Sequence, residues 1–262
     1  MQRTAPSQGA RGRSTPAPSP ALALPAWSPI LTCKLLSIAL CATACACATS
    51  ALAQDDRFYV GGFAGGHFGE EQSFSGANLA GAPRQIDAPQ DDGAVAGLVL
   101  GMVATEGGWG RLRVEAEFAH RQSDVERLSL NGVQRELLQG ESSVSTQLVN
   151  LLYDTPQWRK LRGTLGAGIG AASYDYDIRY NVAAAGPTIN IPTSVSGKLA
   201  YQAIIGVQYA LTPTWELSAD YRYLWGDDHQ IERFNQTAGT LDSVLDATYE
   251  SSAFTVGARY RF

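Results

Sequence analysis

From Arg111 to Phe118 the sequence RLRVEAEF places Arg111, Arg113, Glu115 and Glu117 on one side and Leu112, Val114, Ala116 and Phe118 on the other. This is a period of two, the repeat of a strand whose faces meet different surroundings. The pattern returns in TWELSADYRYLW, where Trp215, Leu217, Ala219, Tyr221, Tyr223 and Trp225 oppose Glu216, Ser218, Asp220 and Arg222. It returns again in FTVGARYRF, where Phe254, Val256, Ala258, Tyr260 and Phe262 oppose Thr255, Gly257, Arg259 and Arg261. After residue 53 the longest unbroken apolar run is Ala94 to Ala104, too short for the roughly 20 residues of a spanning helix. The chain is therefore read as all-β.

Strands are expected at about 57–68, 93–104, 110–122, 143–154, 161–174, 198–211, 214–226 and 250–262. Each can supply the roughly 9 to 11 residues that a tilted membrane strand needs. The connections alternate long and short, the short ones being TEGGW, TPQWRK and a Thr212-Pro213 turn. That asymmetry belongs to an outer-membrane barrel with tight periplasmic turns and four long extracellular loops. A proline cannot donate to a ladder, and Pro83, Pro89, Pro156, Pro187, Pro192 and Pro213 all fall in the expected connections.

The first 53 residues are a different kind of polymer. They hold all four cysteines (Cys33, Cys41, Cys45 and Cys47) and no acidic residue. An apolar run at 35–48 behind Lys34, followed by Ala51-Leu52-Ala53, reads as an export signal cut after Ala53, with Ala51 and Ala53 as the small residues at the cleavage site. The weaker alternatives are a retained anchor and a lipoprotein acylated at Cys45 or Cys47. Residues 54–262 then form one barrel domain. Removing Arg3, Arg11, Arg13 and Lys34 from the 20 basic residues leaves 16 against 25 acidic ones, a net charge of −9. Without cysteine that domain has no disulfide framework, thiolate zinc site or thiol nucleophile. Its acidity argues against nucleic acid as a partner.

Alternation alone also fits a secreted β-sandwich, in which apolar faces pack on each other. Three features select the barrel. Aromatic residues gather near strand ends, with Trp109, Tyr153, Trp158, Tyr209 and Trp215 at one level and Tyr174, Tyr176, Tyr223 and Trp225 at the other, as interfacial girdles do. Gly166, Gly168 and Gly170 turn to the polar side and leave room in a narrow lumen. The last strand stays apolar on its outward face through Phe262. The lumen then receives Arg113, Glu115, Glu117, Arg162, Glu216, Asp220, Arg222, Arg259 and Arg261, with a cross-strand pair expected between Glu216 and Arg261. Those charges either line a narrow ion-selective pore or pair off and plug it. The near balance of signs and the minimal strand number favour the plug.

FYVGGFAGG (58–66), RVEAEF (113–118), LVNLLYD (148–154), LGAGIG (165–170), AYQAIIGVQYALTPTWELSADYRYL (200–224) and FTVGARYRF (254–262) resemble the small outer-membrane β-barrel family. That family includes the OmpA-like transmembrane domain and the opacity-type surface proteins of Gram-negative bacteria. The resemblance covers the strand framework and not the loops. It implies an eight-stranded up-and-down barrel in the outer membrane, with Tyr260 and Phe262 as the C-terminal signal read by the outer-membrane assembly machinery. With no peptidoglycan-binding domain after Phe262, the wall-anchoring role of two-domain members is not carried over.

A barrel hydrolase needs a nucleophile beside a histidine. His67, His120 and His229 lie near Ser73, Ser123 and Ser129 in sequence, but with no recognisable catalytic spacing. No catalytic, cofactor or metal site is therefore expected. Glu70, Glu71, Asp87, Asp91 and Asp92 make the first loop acidic, and Asp227, Asp228, Glu232, Asp242, Asp246 and Glu250 the fourth, without a calcium-loop pattern. The reading is a monomeric surface or structural protein whose surroundings are outer-membrane lipid and lipopolysaccharide and whose loop ligand is unknown. A porin-like channel and a lipid-modifying enzyme are the alternatives.

Overall fold

The computed structural model describes residues 57–69, 71–89, 92–125, 127–183 and 186–262. The expected export signal, with Ala51 and Ala53 as its expected cleavage residues, lies outside them. Among the described residues there are eleven strands: β1 (Phe58–Gly69), β2 (Glu71–Asn78), β3 (Pro83–Pro89), β4 (Gly93–Gly107), β5 (Gly110–Asp124), β6 (Leu128–Leu130), β7 (Val133–Asp154), β8 (Leu161–Asn181), β9 (Thr188–Ala210), β10 (Trp215–Asn235) and β11 (Thr240–Arg261). All the pairings are antiparallel. Eight strands close a ring in the order β1-β4-β5-β7-β8-β9-β10-β11, and the last pairs back onto the first from Tyr59↔Arg261 to Gly69↔Ser251. Closure removes every open edge, which a strand crossing hydrocarbon requires.

The four long connections are largely strand rather than loop. Where β1, β4 and β5 stop, β2, β3 and β6 take over their side of the wall, pairing in the order β11-β2-β3-β6-β7. Together with the outer parts of β7 to β11 they close a second ring of eight strands. The connections left at this end are short: 79–82 between β2 and β3, 131–132 between β6 and β7, 182–187 between β8 and β9, and 236–239 between β10 and β11.

Alternation carries through both rings, but its polarity reverses between them. On β8 the even-numbered residues face inward throughout. In the lower ring Leu165 and Ile169 stand exposed outside. In the upper ring Tyr174, Tyr176, Ile178 and Tyr180 are buried inside, while Asp175, Asp177 and Arg179 take the other face. The lower ring is apolar outside, as lipid demands. The upper ring is apolar inside, as water demands. Its core is one continuous cluster that includes Phe74, Ile86, Leu128, Leu130, Ile189, Ile191, Ile231 and Leu245.

Two expectations are corrected by this arrangement. Tyr174 and Tyr176 belong to the upper core and not to an interfacial girdle. Trp109, Trp158, Tyr209, Trp215 and Trp225 are exposed on the outer surface, the first four near the periplasmic turns and Trp225 beside Tyr201 and Tyr223 at the opposite level. Pro192 lies inside β9 rather than in a connection. It is tolerated because β9 and β10 do not pair between Gly226↔Ala200 and Phe234↔Asn190, so no ladder bond to β10 is lost at Pro192. Pro83 and Pro89 occupy the two ends of β3, and Pro156, Pro187 and Pro213 stay in connections.

Candidate functional site

The lower lumen is built from inward positions of neighbouring strands. Arg111, Arg113, Glu115 and Glu117 alternate along β5, Asn150 and Asp154 lie on β7, and Asp220 and Arg222 on β10, all buried. Asp154 sits at the centre of the lowest layer. It accepts from Arg111 Nε at 2.5 Å and from Arg113 Nε at 2.7 Å, with Thr164 Oγ1 at 2.9 Å and Gln208 Nε2 at 2.8 Å completing its shell. Arg111 also forks onto Glu216 at 2.9 and 2.8 Å. These are charge-assisted bonds in bidentate geometry, the strongest class a lumen can hold.

The next layer up is joined to this one through Tyr59. Its hydroxyl accepts from Arg113 at 2.8 Å and donates to Glu115 at 2.7 Å, and Arg113 also pairs with Glu115 directly. Arg259 reaches Glu115 at 3.4 Å and Asp220 at 3.8 Å. Above it, Arg222 donates to Glu117 at 2.6 Å and stacks on the Phe63 ring at 4.0 Å. Asn150 Nδ2 donates to the same carboxylate at 2.7 Å. Glycines give these groups their space: a Cβ at Gly168 would strike the Asn150 amide, and one at Gly101 the Tyr59 ring.

At the periplasmic mouth Arg261 pairs with Glu216 at 3.2 Å, and Arg162 pairs with Glu106 at 2.8 Å. Of the nine charges expected in the lumen, Arg113, Glu115, Glu117, Asp220, Arg222 and Arg259 are buried, and Arg162, Glu216 and Arg261 are part-exposed in ion pairs. Sequence reasoning missed Arg111, Arg121 and Asp154. Arg111 was placed on the correct face but not counted. Asp154 was legible as the last residue of LVNLLYD, where the face of Asn150 and Leu152 continues.

The three histidines do not share a site. His67 is buried inside and donates from Nε2 to the Gln122 carbonyl at 3.2 Å, an oxygen that can only accept. His229 lies in the upper core, stacked on Tyr174 with ring centroids 4.3 Å apart and 3.2 Å from the Tyr176 hydroxyl. Burial, aided by Lys198, holds its imidazole below the ordinary histidine value. His120 is on the outer surface, with Nδ1 3.0 Å from Ser145 Oγ. That pairing was not legible in sequence, because it comes from the β5–β7 register 25 residues apart. Asp227, Asp228, Glu232, Asp246 and Glu250 are exposed on the upper wall. Glu70 and Asp91 lie outside the described residues.

A closed antiparallel barrel with a lipid-compatible exterior, an aromatic level near its turns and a charge-filled interior defines a transmembrane β-barrel of the outer-membrane class. Residues 37–262 match the family described as "Outer membrane protein beta-barrel domain", and the chain belongs to that family. Its location is the outer membrane. Uncharacterized proteins of Brucella abortus and Brucella suis are each 31% identical over 138 residues, covering 47% of this chain and 48% of theirs. The chain therefore spans about half the length of the curated relatives it matches. Among solved structures, OprG from Pseudomonas aeruginosa aligns with a TM-score of 0.50 at 14% identity, over 79% of this chain and 96% of its own. The outer membrane protease OmpT from Escherichia coli aligns at 0.53 and 10% identity, over 80% and 98%. At such identities the likeness is one of fold alone.

Proposed function

We propose that this protein is a closed barrel with a structural or surface-interaction role, and that it neither conducts nor catalyses. The observation that carries this reading is the double plug. Charged side chains pair across the lower lumen, and the apolar cluster around Tyr174, Ile178 and Phe74 fills the upper one. An ion would have to break several buried ion pairs and then cross an apolar core. The partners in this reading are outer-membrane lipid and lipopolysaccharide around the wall, the assembly machinery at Tyr260 and Phe262, and an unidentified ligand on the outer surface. The barrel acts as a monomer. Liposomes carrying the protein should swell in small sugars no faster than empty ones. Solute-size-dependent swelling would favour the channel.

Lipid modification is a second reading, and the His120–Ser145 pair favours it, since a serine hydroxyl within reach of an imidazole on the lipid-facing surface has the geometry of an activated nucleophile. Mass spectrometry of lipids incubated with wild type, Ser145→Ala and His120→Ala decides it. The structural reading expects identical lipid profiles, and the enzymatic reading expects acyl loss in wild type only.

A further inference from the structure

Among the fully buried cations of the described residues, the interior pairing leaves one over. Among the described residues, Asp154 serves Arg111 and Arg113, Glu115 serves Arg113 and Arg259, and Glu117 and Asp220 serve Arg222. At the mouth Glu216 serves Arg261 and shares Arg111, Glu106 serves Arg162, and Arg233 in the upper ring has Asp242 at 3.0 Å. Among the described residues Arg121, 1% exposed, has no carboxylate within ion-pair distance. Its hydrogen bonds go to neutral oxygens at long range, Thr146 Oγ1 at 3.3 Å and Gln202 Oε1 at 3.5 Å, and its Nε has no partner. Gln202 turns its amide nitrogen toward Glu117, but that carboxylate is already engaged by Arg222.

A guanidinium cannot relieve the cost of burial by losing its proton, so an unmatched one inside a protein calls for a counter-charge. A second donor lies nearby. Arg121 and Tyr174 flank Val144 in register, from β5 and β8, and all three point inward. The Tyr174 hydroxyl is fully buried, has no hydrogen-bond partner and rests over Gly226, where a Cβ would overlap it.

We propose that Arg121 holds a chloride-sized inorganic anion inside the barrel, where the paired lower lumen gives way to the apolar upper core. The charge to be matched is a single one, which sets the valence. The surrounding side chains, Thr146, Gln202, Tyr174 and Val144, are all buried, so the proposed occupant is a small ion without a hydration shell. The anion takes hydrogen bonds from the guanidinium and from the Tyr174 hydroxyl and completes the charge balance of the plug.

The test is a thermal-unfolding titration of protein refolded into detergent in sodium gluconate or in sodium chloride at constant ionic strength, together with crystals grown from protein refolded in bromide, so that the anion is present when the barrel closes. Chloride should raise the midpoint saturably by about 2–4 °C or more. Arg121→Gln should abolish the dependence, and bromide should give an anomalous peak beside Arg121. Equal midpoints in the two salts, a chloride shift that persists in Arg121→Gln, or bromide peaks only at the surface would each overturn the proposal. Should Arg121→Gln fail to fold, the wild-type titration and the bromide map decide the matter alone.

Discussion

Asp154→Asn is the most informative single change to the plug. The substitution keeps shape and removes the charge from a fully buried carboxylate that accepts from Arg111, Arg113, Thr164 and Gln208. It also turns an amide N–H toward two guanidiniums that can only donate. Removing one partner of a buried pair costs about 3–5 kcal/mol. Arg111 keeps Glu216 and Arg113 keeps Glu115, so the loss should fall at the lower end, about 3 kcal/mol. At about 2–4 °C per kcal/mol for a chain of this size, the unfolding midpoint should drop by about 6–12 °C. Guanidinium unfolding in detergent micelles, followed by tryptophan fluorescence, measures the free energy. Glu106→Gln is the control: its pair with Arg162 is 2.8 Å long, but the Glu106 side chain is 41% exposed, and such pairs contribute about 1 kcal/mol or less. If the two variants lose the same stability, the lumen charges are solvated rather than locked, and the plug argument fails.

The upper ring gives a prediction of its own. Phe74→Ala empties a fully buried site and should cost about 3–5 kcal/mol, seen as faster amide exchange in residues 71–89 and 128–130 with the strands of the lower ring unchanged. His229 gives the pH dependence. Its folded pKa lies below the unfolded value because the neutral ring is buried, so stability is whole above about pH 6.5 and declines as pH falls and the unfolded chain takes up the proton first. Protection factors in the outer halves of β9 and β10, taken against the intrinsic exchange rate at each pH, should therefore fall between pH 7.5 and pH 5, and His229→Gln should flatten that response. A variant retaining Trp215 as its only tryptophan should be quenched more by lipids brominated near the glycerol than by those brominated at the chain ends.

The membrane-crossing halves of the strands are legible in the sequence, because lipid outside and charge inside impose an unmistakable alternation, as in Leu112 to Phe118 against Arg111 to Glu117. The outer halves are not, although the same period runs through SYDYDIRY on β8 and HQIERF on β10. There water replaces lipid as the outer solvent, so the polarity of the pattern inverts, and bulges between Ala172 and Tyr174 and between Gly226 and His229 shift the register. A reading that expects apolar residues to face outward sees these stretches as polar loops. The direction of each lumen charge followed from parity along its strand. Its partner did not, since pairings such as Arg222 with Glu117, 105 residues apart, depend on which strands the closed ring sets facing one another.

Single-channel recording in planar bilayers tests the central claim most directly. The purified protein, inserted at high salt, should show no steady conductance whose size scales with salt concentration, and Asp154→Asn should introduce brief openings. Stable, salt-dependent openings of wild type would contradict the sealed lumen and make the barrel a pore.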